Sequence, residues 1–250
     1  MRLLALLSLT LLCGCFLFPD ASDETPTPEA PPAEASTETP SPRYADPTVT
    51  AKGKADAMAT AEAQAKATAE EMAKDAAQTK EATSSLLATQ AAAKRLGATL
   101  KENLLGAMRE QGPVGAAAFC STDAAKLTSG VTKDTGVKVG RSSLRLRNPK
   151  NAGPDWVTAW LEEQGERPAK GVLDVNRIET LEDGSQVARV IRPLPVGGAC
   201  LLCHGPDDTL APELKELLAT SYPDDAATGY AVGDLRGALW AESTVRPPTE

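Results

Sequence analysis

"GVLDVNRIETLEDGSQVARVIRPL", residues 171–194, holds two strand-like runs separated by Glu182-Asp183-Gly184. A Gly-containing turn between two β-patterned runs is a hairpin signal. Downstream, "DLRGALWAE" (234–242) is a further strand candidate. Upstream, "SLRLRNPKNAGPDWVTAWLEEQG" shows alternation at Leu144 and Leu146, then a Pro-Gly loop, then a helix containing Trp156 and Trp160. Before that, "VGAAAFCSTDAAKLTSG" reads as a short apolar stretch ending at Cys120, followed by a helix capped by Ser121 or Thr122 and closed near Gly130. Leu96, Leu100, Leu104 and Met108 recur every fourth residue, which places them on one stripe of a helix that runs to about Arg109 and stops at Gly112-Pro113. Strands and helices in this mixture predict an α+β domain over residues 84–243, large enough for one core, with residues 244–250 as a tail.

The chain upstream has a different character. Between Ala55 and Ala69, Ala alternates with other residues, which as a pattern suggests a strand. Ala is the best helix former and is depleted in strands, so residues 51–83 are expected to form a helical spacer without an apolar face, with a weak oligomerisation helix as the alternative. Residues 15–50 are rich in Pro, Glu, Thr, Ser and Ala. They cannot bury enough apolar surface to offset their ordering entropy and are expected to be a disordered tether. The first twenty residues, "MRLLALLSLTLLCGCFLFPD", have one cation, an apolar run too short to span a bilayer, and Leu12-Cys13-Gly14-Cys15. That tetrad matches a bacterial lipobox. Residues 1–14 would then leave as a signal peptide, and Cys15 would be acylated to anchor the chain in a membrane. The expected location is the periplasmic face of the cell envelope. Without Asp after Cys15, the outer membrane is favoured where a cell has two.

The net charge of −8, much of it from the tether, comes with no concentrated basic face and argues against nucleic-acid binding. The chemistry sits just past the hairpin, where "GGACLLCHGP" carries Cys200, Cys203 and His204 as C-x-x-C-H. This spacing means c-type haem attachment: the two thiols form thioethers with the haem vinyl groups, and the histidine binds iron. A thioredoxin-like disulfide competes, but the motif is expected in a Gly-Pro-rich loop and not at a helix start after a strand. Zinc held by Cys200, Cys203, Cys120 and His204 competes less well, because adjacent Cys203 and His204 reach two vertices of one tetrahedron with difficulty.

His204 is the only histidine, so bis-histidine ligation within one chain and a peroxidase-style distal histidine are both excluded, and no enzymatic role is expected. For the other face of the iron, Met58 and Met72 fall in the spacer and Met108 continues a core stripe. Cys120 is the remaining thiol of the domain. Placed just before a helix N-terminus, it would have a lowered pKa and favour thiolate. The alternative is a small buried core cysteine. Arg145, Arg147 and Arg236 are candidates for haem propionates or simply surface residues. Phe119, Trp156, Tyr222 and Tyr230 are candidates for the pocket wall or for core.

Four stretches occur in order: "AAAFCSTDAAKL", "GRSSLRLRNPKNAGPDW", "RPLPVGGACLLCHG" and "YPDDAATGYAVGDLRGALW". On these, residues 84–243 resemble a family of exported mono-haem c-type cytochrome domains with a PAS-like fold, long catalogued as a domain of unknown function. The resemblance implies an antiparallel sheet with flanking helices and one covalent haem c on Cys200 and Cys203. It also implies axial ligation of the iron by His204 and Cys120. The tether and spacer lie outside that family's core pattern. Some family members are fused to signalling modules, and none is recognised here, so any signal is expected to pass to a separate protein.

A thiolate ligand favours ferric iron and a low potential. The expected function is therefore membrane-anchored redox or small-ligand sensing, with a small gas as one candidate ligand and a redox or signalling protein as partner. Periplasmic electron transfer is the alternative, and a haem-free structural envelope lipoprotein is the second alternative.

Overall fold

The computed structural model describes residues 47–165 and 168–247. The expected signal peptide, Cys15 and the expected tether up to residue 46 lie outside the described residues. Helix α1 spans Pro47–Thr122. Its first turns, to Asp56, fall in a separate unit from residues 57–247, which hold the sheet and the site. The alanine alternation is helical, as propensity requires, and Ala57 through Ala77 present exposed side chains. No helix among the described residues is long and apolar enough to cross a membrane.

Burial in α1 begins at Thr89, whose Oγ1 lies 2.7 Å from Ser243 Oγ and donates back to the Ser85 carbonyl. Ala92, Ala93, Leu96 and Leu100 continue the stripe into the core, while Leu104 and Met108 are half-buried. Gly97 permits the approach to the sheet, since a Cβ there would sit 2.8 Å from Leu239 Cδ1. Gly112-Pro113, expected to end the helix, kinks it instead. Gly112 adopts φ 65° and ψ −163°, and Pro113 heads the resumed helix, where its missing N–H leaves no bond unmade.

The expected cap and end of the next helix also shift. Ser121 Oγ and Thr122 Oγ1 both donate back to the Ala118 carbonyl, which keeps these residues inside α1. Helix α2 is Ala124–Thr135, with Asp123 at its cap position, and it closes at left-handed Gly136. Gly130 lies within it. Strand β1 is Lys138–Ser142, so the Leu144 and Leu146 alternation falls beyond a strand. Ser143 Oγ accepts from Arg145 N–H and turns the chain there.

Helix α3 (Asp155–Gln164) carries Trp156 and Trp160 as expected, and the hairpin forms from β2 (Val175–Thr180) and β3 (Gln186–Pro195). Thr180 faces Gln186 across the turn, and Leu181 N–H bonds the Ser185 carbonyl at 2.8 Å. Helix α4 (Leu201–His204), helix α5 (Pro212–Ser221) and strand β4 (Leu235–Arg246) complete the chain order. α5 has no counterpart in the sequence expectation. Its signal was Pro212 at the first helical position with Leu214 and Leu218 one turn apart.

β4 inserts between β1 and β3, giving an antiparallel sheet in the order β1-β4-β3-β2. Strand alternation then divides the core. Val139, Val190, Leu239 and Ala241 pack with α1 and α2, while Ile191, Ala238 and Trp240 pack with α3. This is the helix-flanked α+β architecture, with a long N-terminal helix, that the PAS-like expectation describes. It leaves the β3–β4 connection, residues 196–234, free to build a site at one end of the sheet.

Candidate functional site

The C-x-x-C-H motif, expected in a loop, is helical. Gly198–Cys200 form a 3₁₀ turn that runs into α4, so His204 ends one continuous turn begun at the first cysteine. This turn starts shortly after a strand, which removes the positional argument against a thioredoxin-like motif. The turn is held from three sides. Tyr230 N–H donates to the His204 carbonyl at 2.9 Å, and Gly229 N–H to the Gly205 carbonyl at 2.7 Å. Arg147 Nη2 donates to the Cys203 carbonyl at 2.6 Å, while its Nε is 2.8 Å from Asp225 Oδ2 in a largely buried ion pair. Cys203 Sγ lies 3.9 Å from the Pro113 carbonyl, which brings the resumed part of α1 against the motif.

The histidine has one orientation available. Its Nδ1 is 2.7 Å from the Ala227 carbonyl oxygen, which can only accept, so Nδ1 carries the proton and Nε2 keeps its lone pair. Burial pushes the His204 pKa down to about 3, helped by Arg236 and Arg147 and opposed by the Ala227 bond. Neutral imidazole with an oriented second nitrogen is the form that ligates metals.

Cys120 lies in the last turn of α1, ahead of α2 by more than its cap residue. The pKa lowering expected from a helix N-terminus is therefore corrected: burial pushes this thiol up, and the guanidinium groups of Arg141, Arg147 and Arg236 only partly offset it. Burial also raises Cys203, with a further contribution from Cys120, and raises Tyr222, again with one from Cys120. Tyr222 and Cys203 pack together with Ala117, which lies one turn before Cys120 in α1, and His204 feels the same three arginines as Cys120. Arg141 was missed from the sequence. Its strand pairs with β4 and its side chain makes no hydrogen bond or ion pair among the described residues, a property of assembly and not of local pattern.

The other candidates separate. Tyr222 packs with Ala117, Leu214 and Cys203, and Tyr230 packs with Val196, Ala227 and Cys200. Tyr230 meets the His204 ring edge-on at 6.3 Å. Arg145 and Arg236 lie over the Tyr230 ring at 4.3 and 5.3 Å. Arg145 donates to the carbonyls of Ala226 and Thr228. Phe119 and Trp156 are not with this group. Phe119 packs against the α1–sheet core, and Trp156 stands at 6.2 Å from Trp240 under the Arg189 guanidinium. Adjacent sequence position puts Phe119 on a different helix face from Cys120. No group of three or more His, Cys, Asp or Glu side chains among the described residues is arranged to hold a metal ion, so the zinc alternative gains nothing.

A family model described as Tll0287-like (Tll0287) matches residues 55–242. Among solved structures, the chain is similar to one titled as the cyanobacterial heme-protein Tll0287. The alignment covers 51% of this chain and 70% of that one at 24% identity, with a TM-score of 0.38. No curated protein matches.

Proposed function

The chain belongs to the Tll0287-like family, and we propose that it is a membrane-anchored mono-haem c-type protein that senses redox state or a small ligand. The observation that carries the reading is the His204–Ala227 bond, which fixes a neutral imidazole at the end of the turn that displays both motif cysteines. The donor set fits one c-type haem. Cys200 and Cys203 are half-buried free thiols one helical turn apart, suited to paired thioethers. His204 Nε2 and Cys120 Sγ would hold its iron. Bound there, a haem supplies a one-electron iron couple.

The chain's own groups set the character of that couple. Burial alone favours the neutral Cys120 thiol, so an adjacent cation is needed to hold the thiolate; three arginines supply part of that field. A thiolate donor favours the ferric state. Arg147 is committed to Asp225 and the Cys203 carbonyl, where it positions the attachment turn. The Arg141 side chain makes no hydrogen bond or ion pair among the described residues and is best suited to meet a propionate. A small ligand would compete with Cys120 for the group, and the α1 kink at Gly112 lies eight residues before that cysteine.

Electron transfer without sensing is favoured by one observation: Leu202, between the two motif cysteines, is 48% exposed, so the motif itself reaches solvent where a partner could approach. Carbon monoxide added to the reduced protein separates the two. A shifted visible spectrum supports sensing, and an unchanged spectrum with rapid electron exchange supports the carrier.

A further inference from the structure

A cavity of about 200 Å³ opens beside the site, with Ser143, Leu144, Arg145, Leu161, Tyr230 and Arg236 among its walls. His204 and the cysteines are not part of its lining. The cavity has two features that belong to a binding site. It concentrates positive charge: Arg145 and Arg236 both lie over Tyr230, and neither is ion-paired to a carboxylate among the described residues. Beside it is an unmet donor. Arg236 Nη1 bonds Ser143 Oγ at 2.6 Å and the Arg145 carbonyl at 3.2 Å, but its Nε is buried with no acceptor. A buried guanidinium N–H without an acceptor is costly, and a guanidinium matches the planar fork of a carboxylate with two parallel hydrogen bonds.

We propose that this cavity binds a small aliphatic carboxylate, with the carboxylate on Arg236 and the chain against Leu144 and Leu161. Its volume lies below the ~300 Å³ at which pockets for drug-sized ligands begin, which limits the ligand to a handful of heavy atoms. Asp234 belongs to the same lining, with its carboxylate accepting from Ala231 N–H at 2.7 Å, and its negative charge disfavours a second acid group on the ligand. The binding does not rest on the haem reading. One consequence does: a bound anion would cancel part of the Arg236 field at His204 and Cys120, so it should lower the reduction potential, and by reciprocity bind the oxidised form more tightly.

Calorimetric titration of the purified full chain tests the proposal, with butyrate, succinate and butanol as probes. Butyrate is expected to bind, with succinate and butanol weaker by about tenfold or more. Arg236→Gln should weaken butyrate by a similar factor. Leu144→Trp, at the exposed rim, should block it without changing thermal unfolding. Absence of butyrate binding, or unchanged binding in both variants, would overturn the proposal. The visible spectrum of the same sample reports haem separately, so a colourless protein that binds butyrate would sink the haem reading alone.

Discussion

Arg147 and Asp225 form a 2.8 Å ion pair whose two side chains are only 10% and 12% exposed, and the same guanidinium donates to the Cys203 carbonyl. The C-x-x-C-H turn is thus held by a charge that cannot be removed without stranding its partner. Arg147→Ala should destabilise the protein by about 3 kcal/mol, the usual cost of leaving a buried carboxylate unpaired. Urea denaturation checks this, and Arg147→Ala with Asp225→Asn should recover part of the loss.

Gly112 occupies a backbone region that side chains rarely adopt. Gly112→Ala should cost about 1–3 kcal/mol in stability, read as a lower urea midpoint with an unchanged slope. Gly106→Ala, at an α1 position where a Cβ meets nothing, should be neutral or stabilising.

His204 gives the fold a pH dependence of known sign. Its folded pKa, about 3, lies below the ordinary 6.5, so across that window the unfolded chain binds the proton and the folded chain does not. Stability should therefore fall as pH drops from 6.5 toward 3, by up to about 1.4 kcal/mol per pH unit. The measurement belongs in a Cys200→Ser, Cys203→Ser chain, where no haem is attached. Adding His204→Gln should flatten the slope.

Cys120 is the proposed sulfur ligand, so Cys120→Ala should raise the reduction potential or vacate a coordination position. A potentiometric titration of both proteins reads this. Unchanged potential and spectrum would remove Cys120 from the iron.

Much of this arrangement was legible in the sequence. The β2–β3 hairpin, β4 and the Trp-bearing helix carried local signals, since strand patterning and turn chemistry are short-range. The motif itself named Cys200, Cys203 and His204. Misreadings arose where a local signal had two outcomes. Gly112-Pro113 is as able to kink a helix as to end it, and Ser121 and Thr122 can bond back along a helix as well as cap one. The Cys120 environment followed from that error, because its expected electrostatics depended on where a helix begins. Arg141, the His204–Ala227 bond and the division of aromatic residues between site and core depend on contacts between segments far apart in the chain. Those are set by sheet order and were invisible to local pattern.

The central claim is one haem covalently held at Cys200 and Cys203. Intact-mass measurement tests it on protein expressed with haem-attachment machinery. The account predicts a gain of one haem mass that survives acid extraction, and that is lost in Cys200→Ser, Cys203→Ser. A chain that emerges at its unmodified mass, colourless and with both thiols free, would contradict it.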